Sequence, residues 1–167
     1  VVAQNSENIT IDGCVFAPSS DSEVDFCCLG DFLHFNMCRG RITVSNCEFD
    51  SCGANLCNVH GNYFEIAEQN KDKMTLRFPK EQSFGFESFK EGDVIAFVDS
   101  KSLVEVSRTK VLKAVLRDGI YYDLTTATYD PPKKDGLVVE NISAYPQFTF
   151  DSNTVNRVAK RGVLCST

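Results

Sequence analysis

Cys47, Cys52, Cys57 and His60 follow one another as Cys-x4-Cys-x4-Cys-x2-His. Thiolate and imidazole are the ligands of structural zinc, but such sites favour C-x2–4-C pairs on tight knuckles. Residues five apart on a strand also point to opposite faces, which works against convergence. Acid–base chemistry would need carboxylates instead, and the stretch 53–62 offers Asn55, Asn58 and His60 without an acid. Asp31 and His34 stand three apart further upstream, and no glycine-rich phosphate loop or nucleophile elbow occurs. Most of the eight cysteines sit beside large apolar residues, in "GCVF", "FCCLG", "NMCRG" and "NCEF". That context suits reduced, inward-facing thiols packed as small hydrophobes, with Cys27 and Cys28 left open.

The elements that must position these residues read as strands. "ITIDGCVF" (9–16) recurs as "ITVSNCEF" (42–49), 33 residues later, and more loosely as "FTFDSNTV" (148–155). Each copy precedes a second short apolar segment: "DFLHFNM", "NLCNVHG" and "RGVLCST". Short β-branched strands alternating with Asn/Gly/Ser turns, without helical periodicity, indicate a β-solenoid. Equivalent residues of successive coils then stack about 4.8 Å apart. Cys14 would lie over Cys47 in one core column and Phe16 over Phe49 in another.

The third copy arrives late because a different kind of segment intervenes. "NYFEIAE", "KMTLRFP", "GDVIAFVD", "SLVEVSR", "TKVLKAVLRDGIYYDLT" and "DGLVVEN" are alternating runs parted by turn residues. Asp118-Gly119 is the strongest hairpin signal in the chain. Five or six short antiparallel strands hide their edges by closing into a small barrel. The three phenylalanines of "SFGFESF" (83–89) serve its core or, if exposed, stack on a sugar face. The expected fold is all-β: right-handed parallel β-helix coils (1–61 and 141–167) with an antiparallel β-barrel (62–140) inserted in one coil.

Composition narrows the function. A chain of 167 residues that is 43% hydrophobic and 24% charged reads as globular. Its net charge of −6 and scattered basic residues argue against nucleic acid, which demands a concentrated positive patch. No apolar run approaches the roughly 20 residues of a membrane span. "VVAQNSENITI" lacks the basic and apolar regions of a signal peptide, and both ends read as cuts within a larger product.

The segment "DFLHFNMCRGRITVSNCEFDSCGANLCNVHG" (31–61), then "YFEI", "TLRFPKEQSFGFESFKEGDVIAFV" and "KRGVLCST", resembles the α-1,3-galactosidases of glycoside hydrolase family 110. The resemblance runs from about Ile9 to the end and includes the break after "NVHG" where those enzymes insert a barrel. It implies a bacterial, secreted protein, extracellular or periplasmic, that acts on terminal galactose of glycans with inversion. No cofactor and no metal is implied, and the partner is a galactose-terminated glycan rather than nucleic acid or membrane. Asp31 matches an acidic position of the family and would be catalytic. His34, Asn55, Asn58, His60 and Arg161 would bind substrate. The family's pair of aspartates before Asn-Val-His-Gly is replaced here by Ala54 and Asn55, and neither side chain can serve as acid or base.

Each residue also has a plainer role. Asp31 suits a turn, Asn58 a backbone-satisfying ladder, Arg161 a structural ion pair, and the histidines a hydrogen-bonded groove wall. Glu48, Asp50 and Glu140 are candidates for a second acid by their place in the repeat. Three functions follow: a galactosidase-like protein with impaired or altered catalysis, a non-catalytic glycan-binding module, or a structural piece that associates through open strands.

Overall fold

The three copies of the repeat stack in register as parallel strands. The computed structural model describes residues 1–21, 23–128, 132 and 135–166. They divide into two units, one formed by Val1–His60 with the chain from Tyr145 onward, the other by Gly61–Ala144. Seven strands precede the division: β1 (Val2–Gln4), β2 (Glu7–Asp12), β3 (Val15–Phe16), β4 (Leu33–Asn36), β5 (Arg39–Ser45), β6 (Glu48–Cys52) and β7 (Cys57–His60). The second unit holds β8 (Tyr63–Asn70), β9 (Lys73–Arg77), β10 (Val94–Asp99), β11 (Glu105–Arg117), β12 (Tyr121–Thr126) and β13 (Leu137–Asn141). The chain then returns as β14 (Gln147–Asp151), β15 (Thr154–Val158) and β16 (Val163–Ser166). Two single-turn 3-10 segments are the only helices among the described residues, and no helix is long and apolar enough to cross a membrane.

The first unit consists of three parallel sheets, ordered β1-β4-β7-β16, β2-β5-β14 and β3-β6-β15. Ile9 pairs with Ile42 and Phe148 with the same residue on its other side; Ile11, Val44 and Phe150 form the next column. Phe16 stacks on Phe49 at 4.9 Å between centroids, and Phe49 faces Phe150 at 6.0 Å. The expected Phe16/Phe49 column is therefore core, and each fully buried large side chain contributes about 1.5–3 kcal/mol.

The cysteines divide where the sequence suggested one behaviour. All eight are free thiols; Cys38, Cys47, Cys52 and Cys57 are buried, whereas Cys14, Cys27 and Cys165 are exposed. Cys14 precedes β3, an edge strand with only β6 beside it, so its column is core at Cys47 alone. Cys47, Cys52 and Cys57 all face the core, contrary to simple alternation. Ser51 adopts a left-handed conformation (φ 62°) near the end of β6, which resets the phase so that Ser51 and Cys52 are both buried.

The second unit is a closed barrel in the order β10-β11-β12-β9-β8-β13. The segments "SLVEVSR" and "TKVLKAVLR" merge into the single long strand β11, which shifts register between Val111 and Lys113. Asp118 and Gly119 both take positive φ, 54° and 69°, at the turn to β12. Phe64, Phe78, Phe89 and Tyr122 pack together in the interior. In "SFGFESF", Phe89 belongs to that core and Phe86 is exposed.

Candidate functional site

The site grows out of the sheet that contains β4 and β7. Leu33 and Phe35 on β4, and Cys57 and Val59 on β7, point into the apolar core. Alternation therefore sends His34 and Asn36, and Asn58 and His60, to the opposite face. The parallel register places His34 beside Asn58 and Asn36 beside His60. The result is a checkerboard: His-x-Asn on one strand lies against Asn-x-His on the next. Its diagonal is a direct contact, with His34 Nε2 2.9 Å from His60 Nε2 and the rings edge-on at 4.9 Å between centroids.

Asp31 lies in the turn before β4 and anchors this face. Its Oδ1 accepts the backbone N–H of Asn55 (3.1 Å) and the Asn55 side-chain amide (3.0 Å). Its Oδ2 accepts the Asn58 amide (3.3 Å) and pairs with His34 Nδ1 (3.1 Å). Burial pushes the Asp31 carboxyl up, but the hydrogen bonds from His34, Asn55 and Asn58 together outweigh it and hold it below the usual carboxylate range. Asp31 is thus an anion with all of its roughly four lone-pair positions engaged. The bond to Asp31 orients the His34 ring, with Nδ1 toward the carboxylate and Nε2 toward His60.

The six predicted residues are brought together, with Arg161 differing in kind from the rest. Asn55 Oδ1 accepts the Arg161 backbone N–H at 3.4 Å, and the Arg161 carbonyl accepts Leu56 N–H at 3.0 Å. These described bonds of Arg161 use its backbone, and the residue is exposed. Asp31, Asn55 and Arg161 therefore align across three successive layers.

The other acids lie elsewhere. Asp50 on β6 is held by a two-pronged Arg157 pair at 2.7 and 2.6 Å, which keeps its carboxyl low. Glu48 is exposed on the same strand. Glu140 is buried in the barrel and sits opposite Tyr63. Among the described residues no three His, Cys, Asp or Glu side chains cluster as a metal cage. Burial, with the nearby charges of Cys165 and Asp31, pushes the Cys57 thiol up to about 12, so it is neither thiolate nor nucleophile near neutral pH.

Asn36 escaped the sequence reading. It is 5% exposed, and its Oδ1 has no hydrogen-bond partner among the described residues; Asn58 Oδ1 shares that condition. The signal was present in the mirrored pair "HFN" and "NVH", which becomes visible once the two strands are aligned.

The barrel gives the first likeness. Residues 73–133 match the family model described as GLAA-B beta-barrel domain II. Curated relatives then extend the kinship to the whole chain. It is 37% identical over 171 residues to the alpha-1,3-galactosidase A of Bacteroides thetaiotaomicron, 31% to that of Akkermansia muciniphila and 29% to that of Streptomyces avermitilis. All of this chain aligns in each case, against 30%, 28% and 29% of those proteins respectively. The chain is thus a homologue of the alpha-1,3-galactosidases, the group its motifs resemble, and spans under a third of their length.

Proposed function

We propose that this chain is part of a right-handed parallel β-helix protein that recognises terminal galactose on glycans outside the bacterial cytoplasm, with hydrolysis impaired at this site. Kinship to the α-1,3-galactosidases and three parallel sheets in continuous register support the scaffold and the ligand class. The observation that carries the reading on catalysis is the saturation of Asp31.

An inverting glycosidase needs two carboxyl groups roughly 6.5–9.5 Å apart, one protonated to assist the leaving oxygen and one ionised to activate water. The acid must have a raised pKa, and Asp31 is shifted the other way. A base must offer a free lone pair to water, while Asn55, Asn58 and His34 occupy those of Asp31. Asn55 also stands where a carboxyl would be expected, and its amide donates to Asp31 rather than sharing a proton with it. Asp31, His34, Asn55, Asn58, His60 and Arg161 then act as a preorganised polar wall for sugar hydroxyls, with the exposed Arg161 side chain at its margin. Survival of eight unpaired thiols outside the cytoplasm is helped by the burial of Cys38, Cys47, Cys52 and Cys57.

Calorimetry with galactose-terminated oligosaccharides tests recognition, and heat should appear at or below millimolar ligand. Turnover of an α-1,3-linked galactosyl disaccharide tests impairment: the protein should be at least 10²-fold slower than the Ala54→Asp/Asn55→Asp variant, the span usually lost with an acid or base. Absence of binding would overturn the glycan reading, and equal rates would overturn the impairment.

A further inference from the structure

The checkerboard on β4 and β7 contains more unsatisfied capacity than a sugar-facing wall explains. Two imidazole nitrogens, His34 Nε2 and His60 Nε2, meet at 2.9 Å. Two amide oxygens in the same four-residue square, Asn36 Oδ1 and Asn58 Oδ1, are buried without a partner among the described residues. A buried acceptor in that condition costs about 1–3 kcal/mol unless something satisfies it, and a missing ion is one standard remedy. Asn36 is 5% exposed, so ordinary solvation does not resolve its case.

We propose that His34, Asn36, Asn58 and His60 form a binding site for one divalent transition-metal ion of the Zn²⁺, Ni²⁺ or Cu²⁺ class, with the two Nε2 atoms as its nitrogen ligands and the amide oxygens as its hard donors. The distances fit. Metal–imidazole bonds of about 2.05 Å span about 2.9 Å between two ligands at a right angle and about 3.3 Å at the tetrahedral angle. The observed separation equals the first value and lies a few tenths of an ångström from the second. Imidazole suits these borderline ions, whereas Ca²⁺ and Mg²⁺ demand oxygen ligands throughout.

The second layer is already built. Metal-bound histidines usually donate their other ring N–H to a carboxylate, which orients the ring and raises its basicity. Asp31 contacts His34 Nδ1 in that way at 3.1 Å, and Asn55 and Asn58 hold the Asp31 side chain in place. Binding requires both Nε2 atoms to be unprotonated, each turning its lone pair from the other ring to the ion. Asp31 is accordingly a positioning residue for the ion. The site shares His34, Asn58 and His60 with the proposed glycan wall, but its readout needs no sugar.

The chain contains only two histidines, so ¹⁵N-histidine labelling reports this site alone, undisturbed by any zinc taken up by the thiols. On titration of the 167-residue chain with Zn²⁺, both Nε2 resonances should move together and saturate at one ion. His34→Gln should weaken the response of His60 tenfold or more, and Asp31→Asn should weaken the site 10–100-fold. The proposal is overturned if one ring alone or neither responds at millimolar Zn²⁺. It also fails if His34→Gln, with its metal-free amide spectrum intact, leaves the His60 affinity unchanged. Loss of glycan binding with a normal histidine response would count against the proposed function only.

Discussion

Asp31 shows how completely one carboxylate can be engaged by the turns around it. Four hydrogen bonds converge on its two oxygens, and they act in a setting where the side chain is 14% exposed. Hydrogen bonds to a charged group contribute about 1.5–3 kcal/mol. Because the folded carboxyl titrates below its unfolded value, the stabilisation is complete above the ordinary carboxylate range and disappears as pH falls through the folded pKa. Asp31→Asn should therefore destabilise the protein by about 2–3 kcal/mol near neutrality in denaturant melts. The gap should shrink at acidic pH; a pH-independent difference would refute this account of Asp31. None of it was legible in the residue string. Asp31 was recognised as a candidate, but saturation depends on a turn that brings the Asn55 backbone to one oxygen, and turn geometry is not written in spacing.

At the scale of the element, the strands were far more legible than the corners between them. Ile9, Ile42 and Phe148, or Phe16 and Phe49, could be placed from alternation and repeat length because the core demands one apolar face per strand. Cys14 leaves the core column because β3 lies at the edge of its sheet. The cysteine spacing misled because Ser51 interrupts the alternation that the argument assumed. Gly53 shows what such a corner requires. A Cβ there would stand 2.8 Å from the Cys28 carbonyl oxygen and 3.1 Å from Leu29 Cα, both backbone atoms with little freedom to yield. Gly53 N–H also donates to the Cys28 carbonyl at 2.8 Å, so the turn carrying Asp31 and the turn carrying Asn55 are held edge to edge. Gly53→Ala should cost about 1–3 kcal/mol and pull the two apart. The Asn55 side-chain amide resonances, now fixed by Asp31, should move toward those of a solvated amide. Unchanged amide signals would show that the contact between the turns is dispensable.

For the whole molecule, the barrel closes on itself. Its first and last strands, β8 and β13, are hydrogen-bonded neighbours through Tyr63 and Glu140, and its six strands leave no open edge. The expressed segment 61–144 should therefore fold alone, with dispersed amide signals and a cooperative thermal transition. A disordered spectrum would mean that closure depends on the rest of the chain. In the sequence, antiparallel alternation and Asp-Gly turns after "NVHG" differ visibly from the parallel repeat before it.

The adjacency of β8 and β13 has a further consequence for how the parallel stack is assembled. Strand β14 must find β5, and Asp50 must find Arg157, across a sequence separation of about a hundred residues. If the intervening segment were open chain, closing a loop of that size would cost about 2 kcal/mol more than closing one of a few residues, since the penalty grows as (3/2)RT ln n. A barrel that has already closed brings its two ends side by side and turns the long loop into a short one. The closed barrel thereby acts on folding rate as a local hairpin does, lowering the effective contact order of the parallel stack.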